Sequence, residues 1–340
     1  MSKRILAAAC AAATALALSA CSTTASSGGS SSKDGTLTVM ASFYPLQYLA
    51  EKVGGEHVTV TLLTPAGAEP HDLELSPKMV DSLSNADAVV YLAGFQSAVD
   101  EAIEQHAPKT VIDVSPAAEL VEADSSANHP AEEEGHDHEA QSGETEADDH
   151  DHEGHDHEGH DHEGHSHDMS ADPHFWLDPV RMASAATLVG EKLAEADPAN
   201  AETYKANAKA LNEELTALGD DLVMKTSNCQ VTTFVTAHTA FGYLADRTGL
   251  TQVGISGLDP ESSPSPARLA EIGQIAKDQG VTTIFTEALI DPKVAQTLAD
   301  DLGLSTAVLD PIESQTDASK DYAAVMNDNI AALTKANNCQ

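Results

Sequence analysis

The sequence predicts an α/β protein of two lobes joined by one long helix. Short β-branched runs alternate with amphipathic stretches through residues 36–114 and again through 231–335, and a helical stripe of some twenty-five residues lies between the two regions. Alternation of strand and helix makes parallel sheet the natural architecture. The chain has 340 residues, 41% of them apolar, which is enough for two cores of domain size.

The first segment belongs to neither lobe. Met1-Ser2-Lys3-Arg4 precedes an apolar run from Ile5 to Ala20, too short to span a bilayer with ordinary margins, and residues 1–20 read as a secretory signal peptide. It ends at Leu18-Ser19-Ala20-Cys21, which resembles the lipobox of bacterial lipoproteins. Cys21 is then expected to carry lipid, an ordinary signal with an incidental Cys being the alternative. Residues 21–35 are rich in Ser, Thr and Gly and read as a flexible tether. The expected location is the extracytoplasmic face of the bacterial cell membrane, lipid-anchored. No later stretch approaches the run of about eighteen apolar residues that a transmembrane helix needs. Cys10 leaves with the signal, so Cys229 and Cys339 remain in an oxidising compartment. A disulfide between them is expected, two free thiols being the alternative; closing so long a loop stabilises by up to ~4–5 kcal/mol in the chain-entropy view.

The N-terminal lobe is taken as residues 36–178. Residues 36–42, 58–63, 88–92 and 110–114 read as strands, and 45–53, 77–85 and 96–105 as helices between them. Residues 122–171 break this pattern: the segment has no Lys or Arg, eighteen Asp or Glu, eleven His, and His-Asp-His-Glu-Gly repeated from His150, His155 and His160. Such a tract cannot bury a core and reads as a disordered insertion. The linking helical region, 179–225, starts at Asp178-Pro179, with Asp as N-cap and Pro in the first turn, and again at Asp197-Pro198. Tyr204, Leu211, Leu215, Leu218 and Leu222 form its stripe, on a helix roughly 37 Å long. The C-terminal lobe, 226–340, alternates strands at 231–236, 250–254, 281–286 and 305–309 with helices at 238–248, 266–279, 291–302 and 320–335.

Seventeen Lys and Arg face 55 Asp and Glu, a formal charge of −38, which argues against a nucleic-acid partner because phosphate binding needs a basic surface. No His-Glu-x-x-His or Gly-x-Ser-x-Gly appears, so an enzyme is not expected. The chemistry must lie with the histidines. Outside the insertion these are His57, His71, His106, His174 and His238; His57 and His106, at a strand edge and a helix end, read as surface residues. His71 sits in a polar loop after the strand 58–63, His174 directly follows the insertion beside the single Trp, and His238 follows the strand 231–236 and opens a helix. Ligands of open α/β sheets gather beyond the carboxyl ends of strands, so His71 and His238 are placed to converge. Singly, a Pro-His in a loop or a His at a helix start is a turn or capping residue. Three together beside a His-rich tract point to a metal.

The stretches Glu69-Pro-His-Asp-Leu-Glu-Leu-Ser-Pro77, Asp172-Pro-His-Phe-Trp-Leu-Asp-Pro179, Thr236-Ala-His-Thr-Ala-Phe-Gly-Tyr243 and Asp310-Pro-Ile-Glu313, in that order, resemble the zinc/manganese solute-binding lipoproteins of ABC importers. The resemblance covers essentially the whole mature chain. It implies two lobes, each a roughly four-stranded, mainly parallel sheet sandwiched by helices, joined by one long rigid helix, with the metal held between them. It also implies an ABC permease as partner, with the protein itself a monomer. By position His71, His174 and His238 match the family's histidine ligands, and Asp310 stands where the family places a carboxylate ligand. Asp-Pro also occurs at residues 178, 197, 259 and 291 as turn or cap punctuation, and Glu313 or a water is the substitute. Glu287 reads as a supporting carboxylate rather than a ligand.

Three imidazoles and one carboxylate suit tetrahedral Zn²⁺, whereas Mn²⁺ prefers more oxygen. Manganese-binding relatives typically replace the third His by a carboxylate, and here it is His238. Zn²⁺ is therefore the expected ligand, carried rather than catalytic. Zinc-specific relatives often have a His- and acid-rich loop before the second ligand, which suggests that 122–171 captures, concentrates or senses zinc; a merely solvating acidic tract is the alternative. A manganese-binding protein of the same importer class, a metal-binding adhesin and a zinc hydrolase are the other readings of such a site.

Overall fold

A computed structural model describes residues 36–106, 108–122 and 171–340. The expected signal peptide, Cys21, the tether and the interior of the acidic insertion lie outside the described residues. Four strands form the first sheet: β1 (Leu37–Ala41), β2 (Val58–Leu62), β3 (Ala88–Tyr91) and β4 (Thr110–Asp113) pair in the order β2-β1-β3-β4, all parallel. The second repeats the plan: β5 (Thr233–Thr236), β6 (Thr251–Gly254), β7 (Thr283–Thr286) and β8 (Ser305–Val308) pair in the order β6-β5-β7-β8, again all parallel. Strand order reverses beside the first strand of each sheet. The crevice beyond the carboxyl ends is opened there.

Helices α1 (Tyr44–Gly54), α2 (Pro77–Ser84), α3 (Ser97–His106) and the short α4 (Ser115–Ala118) complete the first lobe. A 3₁₀ turn at Phe175–Leu177 leads into α5 (Pro179–Ala196) and α6 (Ala201–Thr226). The second lobe carries α7 (Gly242–Thr248), α8 (Pro266–Asp278), α9 (Lys293–Leu302) and α10 (Tyr322–Ala336). Three starts share one chemistry. At Ser76-Pro77, Asp178-Pro179 and Ser265-Pro266 the side-chain oxygen of the first residue accepts a backbone N–H of the opening turn, at 3.3, 2.9 and 3.1 Å, and the proline gives up an N–H that has no helical acceptor.

The expected stripe on α6 is buried in full, from Tyr204 through Leu211, Leu215, Leu218 and Leu222. Its 26 residues extend about 39 Å and pack against α1 of the first lobe and α10 of the last. Helix α5 folds back along it over a four-residue connection. The two backbones approach so closely at Gly190 that a Cβ there would lie 2.4 Å from that of Ala208. One continuous core runs from Phe43 and Leu49 through Trp176 and Leu215 to Phe241 and Tyr322, so the lobes share their interior rather than meeting through a loose hinge.

The second lobe differs from expectation at one point that matters. His238 was expected to open a helix, but α7 begins at Gly242. The His238 carbonyl accepts Thr236 Oγ1 at 2.7 Å and Gln252 Nε2 at 3.1 Å, so it is not free to accept the first helical N–H. Cys229 and Cys339 form a disulfide beside an isolated antiparallel bridge, tying the chain's end to the end of α6. Among the described residues no helix is long and apolar enough to cross a membrane.

Candidate metal centre

Each expected histidine is delivered by a different loop. His71 comes from the segment after β2, where Gln96 Nε2 fixes the chain by donating to the Pro70 carbonyl at 3.1 Å and to Thr64 Oγ1 at 2.9 Å. His174 emerges where the acidic insertion closes: Glu122 and Ala171 form an antiparallel bridge, and the Tyr243 hydroxyl accepts Val121 N–H at 3.0 Å while donating to the Asp172 carbonyl at 2.7 Å. His238 follows β5. All three converge.

Their Nε2 atoms gather around a carboxylate, that of Glu313. Glu313 Oε1 lies 3.5 Å from His71 Nε2, 3.3 Å from His174 Nε2 and 3.4 Å from His238 Nε2, and the latter two nitrogens are 3.4 Å apart. All four ligand atoms fall within 4.8 Å of one another. Tetrahedral Zn²⁺ with bonds of about 2.0–2.1 Å sets its ligands about 3.3–3.4 Å apart, so these four of the six separations fit that ion. Among the described residues both Glu313 oxygens and His71 Nε2 are buried without a hydrogen-bond partner, three polar atoms that a cation would satisfy.

Asp310 was expected as the fourth member, and the structure places it outside the group. Its carboxylate instead accepts the Ile312 N–H at 2.8 Å, its own N–H donates to Asn329 Oδ1 at 2.8 Å, and its carbonyl accepts Asn329 Nδ2 at 2.7 Å. Asp310 builds the turn that presents Glu313. In that turn Ile312, buried and β-branched, takes φ +58°, a conformation costing of order 1–3 kcal/mol that the surrounding bonds must hold. The Pro311 carbonyl, accepting Trp176 Nε1 at 2.7 Å, supplies one of those bonds.

Two carboxylates aim two of the rings. Asp172 Oδ1 accepts His174 N–H at 2.9 Å and its Nδ1–H at 2.8 Å; Glu287 accepts His238 N–H at 3.0 Å and its Nδ1–H at 2.7 Å. Each fixes a ring proton on Nδ1, so that Nε2 faces the centre and offers its lone pair to a metal once its own proton is displaced. Glu287 thus has the supporting position expected of it. Asp172, two residues before its histidine, carried the same role without being singled out by sequence reasoning, although an acidic residue spaced to fold back on a His was a readable signal. Among the described residues His71 has no such partner on Nδ1. Its N–H donates to Glu69 Oε1 at 3.0 Å, and its ring stands edge-on to Phe95 at 4.8 Å.

The charges follow from this packing. Burial would lower His238, but the Glu287 and Glu313 carboxylates overcome it and hold the imidazole well above its usual value; His174 is raised in the same way by Asp172 and Glu313. Burial dominates at His71 and lowers it. Burial would raise Glu313, yet the three imidazoles keep its carboxyl well below the carboxylate range. Burial and the Glu313 charge push Glu69 up to about 8.

Known proteins resemble the chain over this same span. The family model described as zinc-uptake complex component A, periplasmic (ZnuA) matches residues 39–336. The zinc-binding lipoprotein AdcA of Streptococcus pneumoniae is 35% identical over 309 residues, covering 88% of this chain but 56% of AdcA, so the chain spans little more than half the length of that relative. The high-affinity zinc uptake system protein ZnuA of Bacillus subtilis is 33% identical over 312 residues, covering 89% of this chain and 88% of that protein. The crystal structure of the Zn(II)-bound ZnuA-like domain of Streptococcus pneumoniae AdcA has a TM-score of 0.66 at 30% identity, covering 89% of this chain and 100% of that one.

Proposed function

Because the chain belongs to the family of the periplasmic component A of zinc-uptake complexes, we propose that it captures Zn²⁺ outside the membrane and hands it to an ABC permease for import. One observation carries the reading: four buried ligand atoms within 4.8 Å of one another, with Glu313 Oε1 3.3 to 3.5 Å from each imidazole nitrogen and two of those nitrogens 3.4 Å apart, close to the edge length of a tetrahedron around zinc. His71, His174, His238 and Glu313 hold the ion, with Asp310 shaping the turn behind Glu313. Four protein ligands saturate a tetrahedral ion, which suits binding and release. A hydrolytic zinc site keeps one position open for water, and this arrangement leaves none.

The remaining features fit a captured-and-delivered ion. Cys21 anchors the mature chain, as a monomer, to the membrane through lipid; residues 122–171 gather zinc weakly through their eleven histidines and deliver it to the cleft. Manganese is the competing cargo, disfavoured by three nitrogens in the shell. Calorimetric titration of demetallated protein with Zn²⁺ and Mn²⁺, with and without residues 123–170, tests the whole reading. One tight zinc site per chain is expected in both forms, with additional weak sites only when the insertion is present. A tighter site for Mn²⁺, or loss of the tight zinc site with the insertion, would overturn it.

A further inference from the structure

A saturated four-ligand site poses a kinetic problem. With no open position, the ion enters and leaves only by passing through a five-coordinate state or by losing a ligand outright, and a fifth donor poised beside the shell lowers that barrier. Glu69 has the makings of that donor. Its Oε1 is engaged by the His71 N–H at 3.0 Å, but its Oε2 is buried and accepts no hydrogen bond among the described residues. An orphaned carboxylate oxygen in such a place is costly unless something cationic visits it.

Glu69 also borders a cavity whose walls adjoin two of the ligands in sequence. A cavity of about 340 Å³ is lined by Glu69 on the N-terminal side and by Ala237, Ser256, Glu261 and Asp291 from the second lobe. Ala237 immediately precedes the ligand His238, and Glu69 stands two residues before the ligand His71. Glu261 and Asp291 are exposed, so the cavity runs from an acidic outer wall to Glu69, a half-buried carboxylate whose bond is to the His71 N–H.

We propose that Glu69 is a transit ligand: its Oε2 takes the divalent cation from this cavity, passes it to His71, His174, His238 and Glu313, and receives it again on the way out. The inference rests on the zinc-binding reading above. A group that acts only in the exchange step speeds association and dissociation equally and leaves the equilibrium constant alone, which separates it from the four ligands.

The test is Glu69→Gln, which keeps the side chain's size and the oxygen that accepts the His71 N–H. Zn²⁺ association is followed by stopped-flow fluorescence of the single tryptophan, Trp176, whose ring centroid lies 5.1 Å from that of His174, and dissociation by chelator capture. Because ligation of a carboxyl exchanges a proton for the metal, all rates are compared at one pH. Association and dissociation rates should each fall about tenfold, the scale on which supporting groups act at metal sites, while Kd stays within about twofold. Glu261→Gln and Asp291→Asn remove charge from the same cavity farther out and should change the rates much less. Unchanged rates in Glu69→Gln would make Glu69 a turn residue only. A weakened Kd with faster dissociation would make it a fifth ligand, and equal effects in the Glu261 and Asp291 variants would reduce it to a general field; each overturns the proposal. Absence of tight zinc binding by the unsubstituted protein would instead defeat the functional reading on which it rests.

Discussion

Glu69-Pro70-His71 and Asp172-Pro173-His174 are the same device built with side chains one methylene apart. In both, a carboxylate folds back across a proline to accept the N–H of the histidine that follows. The shorter Asp172 then also reaches the ring with the same oxygen, holding Nδ1 at 2.8 Å, while the longer Glu69 does not; the second oxygen of each is buried without a partner among the described residues. Glu287 does for His238 from a neighbouring strand what Asp172 does for His174 from within its own turn. The centre therefore has a rigid side, His174 and His238 on carboxylate struts, and a compliant side, His71 on backbone contacts and the Phe95 ring edge. Under the proposed function, in which the ion is bound and then released, that division leaves His71 as the one histidine ligand without a carboxylate strut.

The largest expected effects test the division directly. His174→Ala and His238→Ala should each lower zinc affinity by about a thousandfold or more, since each removes a charge-supported bond and strands a buried carboxylate, Asp172 or Glu287. His71→Ala should cost less, about a hundredfold, because a water can enter on the compliant side. Equal losses at all three positions, measured by chelator competition, would erase the distinction. Next come the struts: Asp172→Asn and Glu287→Gln should weaken binding about 10–100-fold without removing any ligand. An affinity within twofold of the parent for either would mean that the ring is aimed by packing instead.

Much of this was legible in the residues. The periodicity placed all eight strands, and the three histidines stood out as polar interruptions at strand ends or at the edge of the insertion. The fourth ligand was less legible, because Asp310 and Glu313 follow β8 by two and five residues and either could point inward. What decides between them is the left-handed turn at Ile312, a conformation that a β-branched residue does not advertise and that only the Asp310, Asn329 and Trp176 contacts impose. Local sequence carries no trace of partners 19 and 135 residues away. Range alone did not decide legibility: the strut on His238 comes from 49 residues downstream, yet Glu287 was expected as a supporting carboxylate from its place at a strand end, whereas the local strut on His174, Asp172, was not singled out although its spacing was readable.

The pH dependence separates the two sides more gently. In the metal-free protein the proton on His238 is held well above the usual imidazole value, and that on His174 is raised too, so Zn²⁺ must displace protons from the rigid side. Affinity should rise about tenfold per pH unit for each proton displaced, and should keep rising above ~6.5 until the raised His238 value is passed. His71, lowered by burial, is neutral there and adds no slope. The sign for stability is opposite. Raised imidazoles stabilise the metal-free fold below ~6.5 and lose that contribution as pH rises through their folded values, so zinc should protect the protein most at alkaline pH. Glu287→Gln should flatten the affinity slope near neutrality while His71→Ala leaves it unchanged; a slope that survives Glu287→Gln would place the displaced proton elsewhere.

The smallest effect comes from making the two tripeptides alike. Glu69→Asp shortens the first carboxylate to the length of Asp172, and if the backbone turn is shared, one oxygen should reach Nδ1 of His71 while still accepting its N–H. The ring would then be aimed before the ion arrives, and the gain appears as affinity because less freedom is lost on binding. The gain should be no more than about tenfold, the lower end of what a strut contributes, since Phe95 already restrains the ring. Dissociation should slow by at least the same factor, because the compliant ligand has been stiffened and the long carboxylate beside it removed. Calorimetry and chelator capture read the two quantities separately. An affinity unchanged or weakened by Glu69→Asp would show that the aim of His71 is not what limits the site, and the methylene that distinguishes the two turns would then matter for exchange alone.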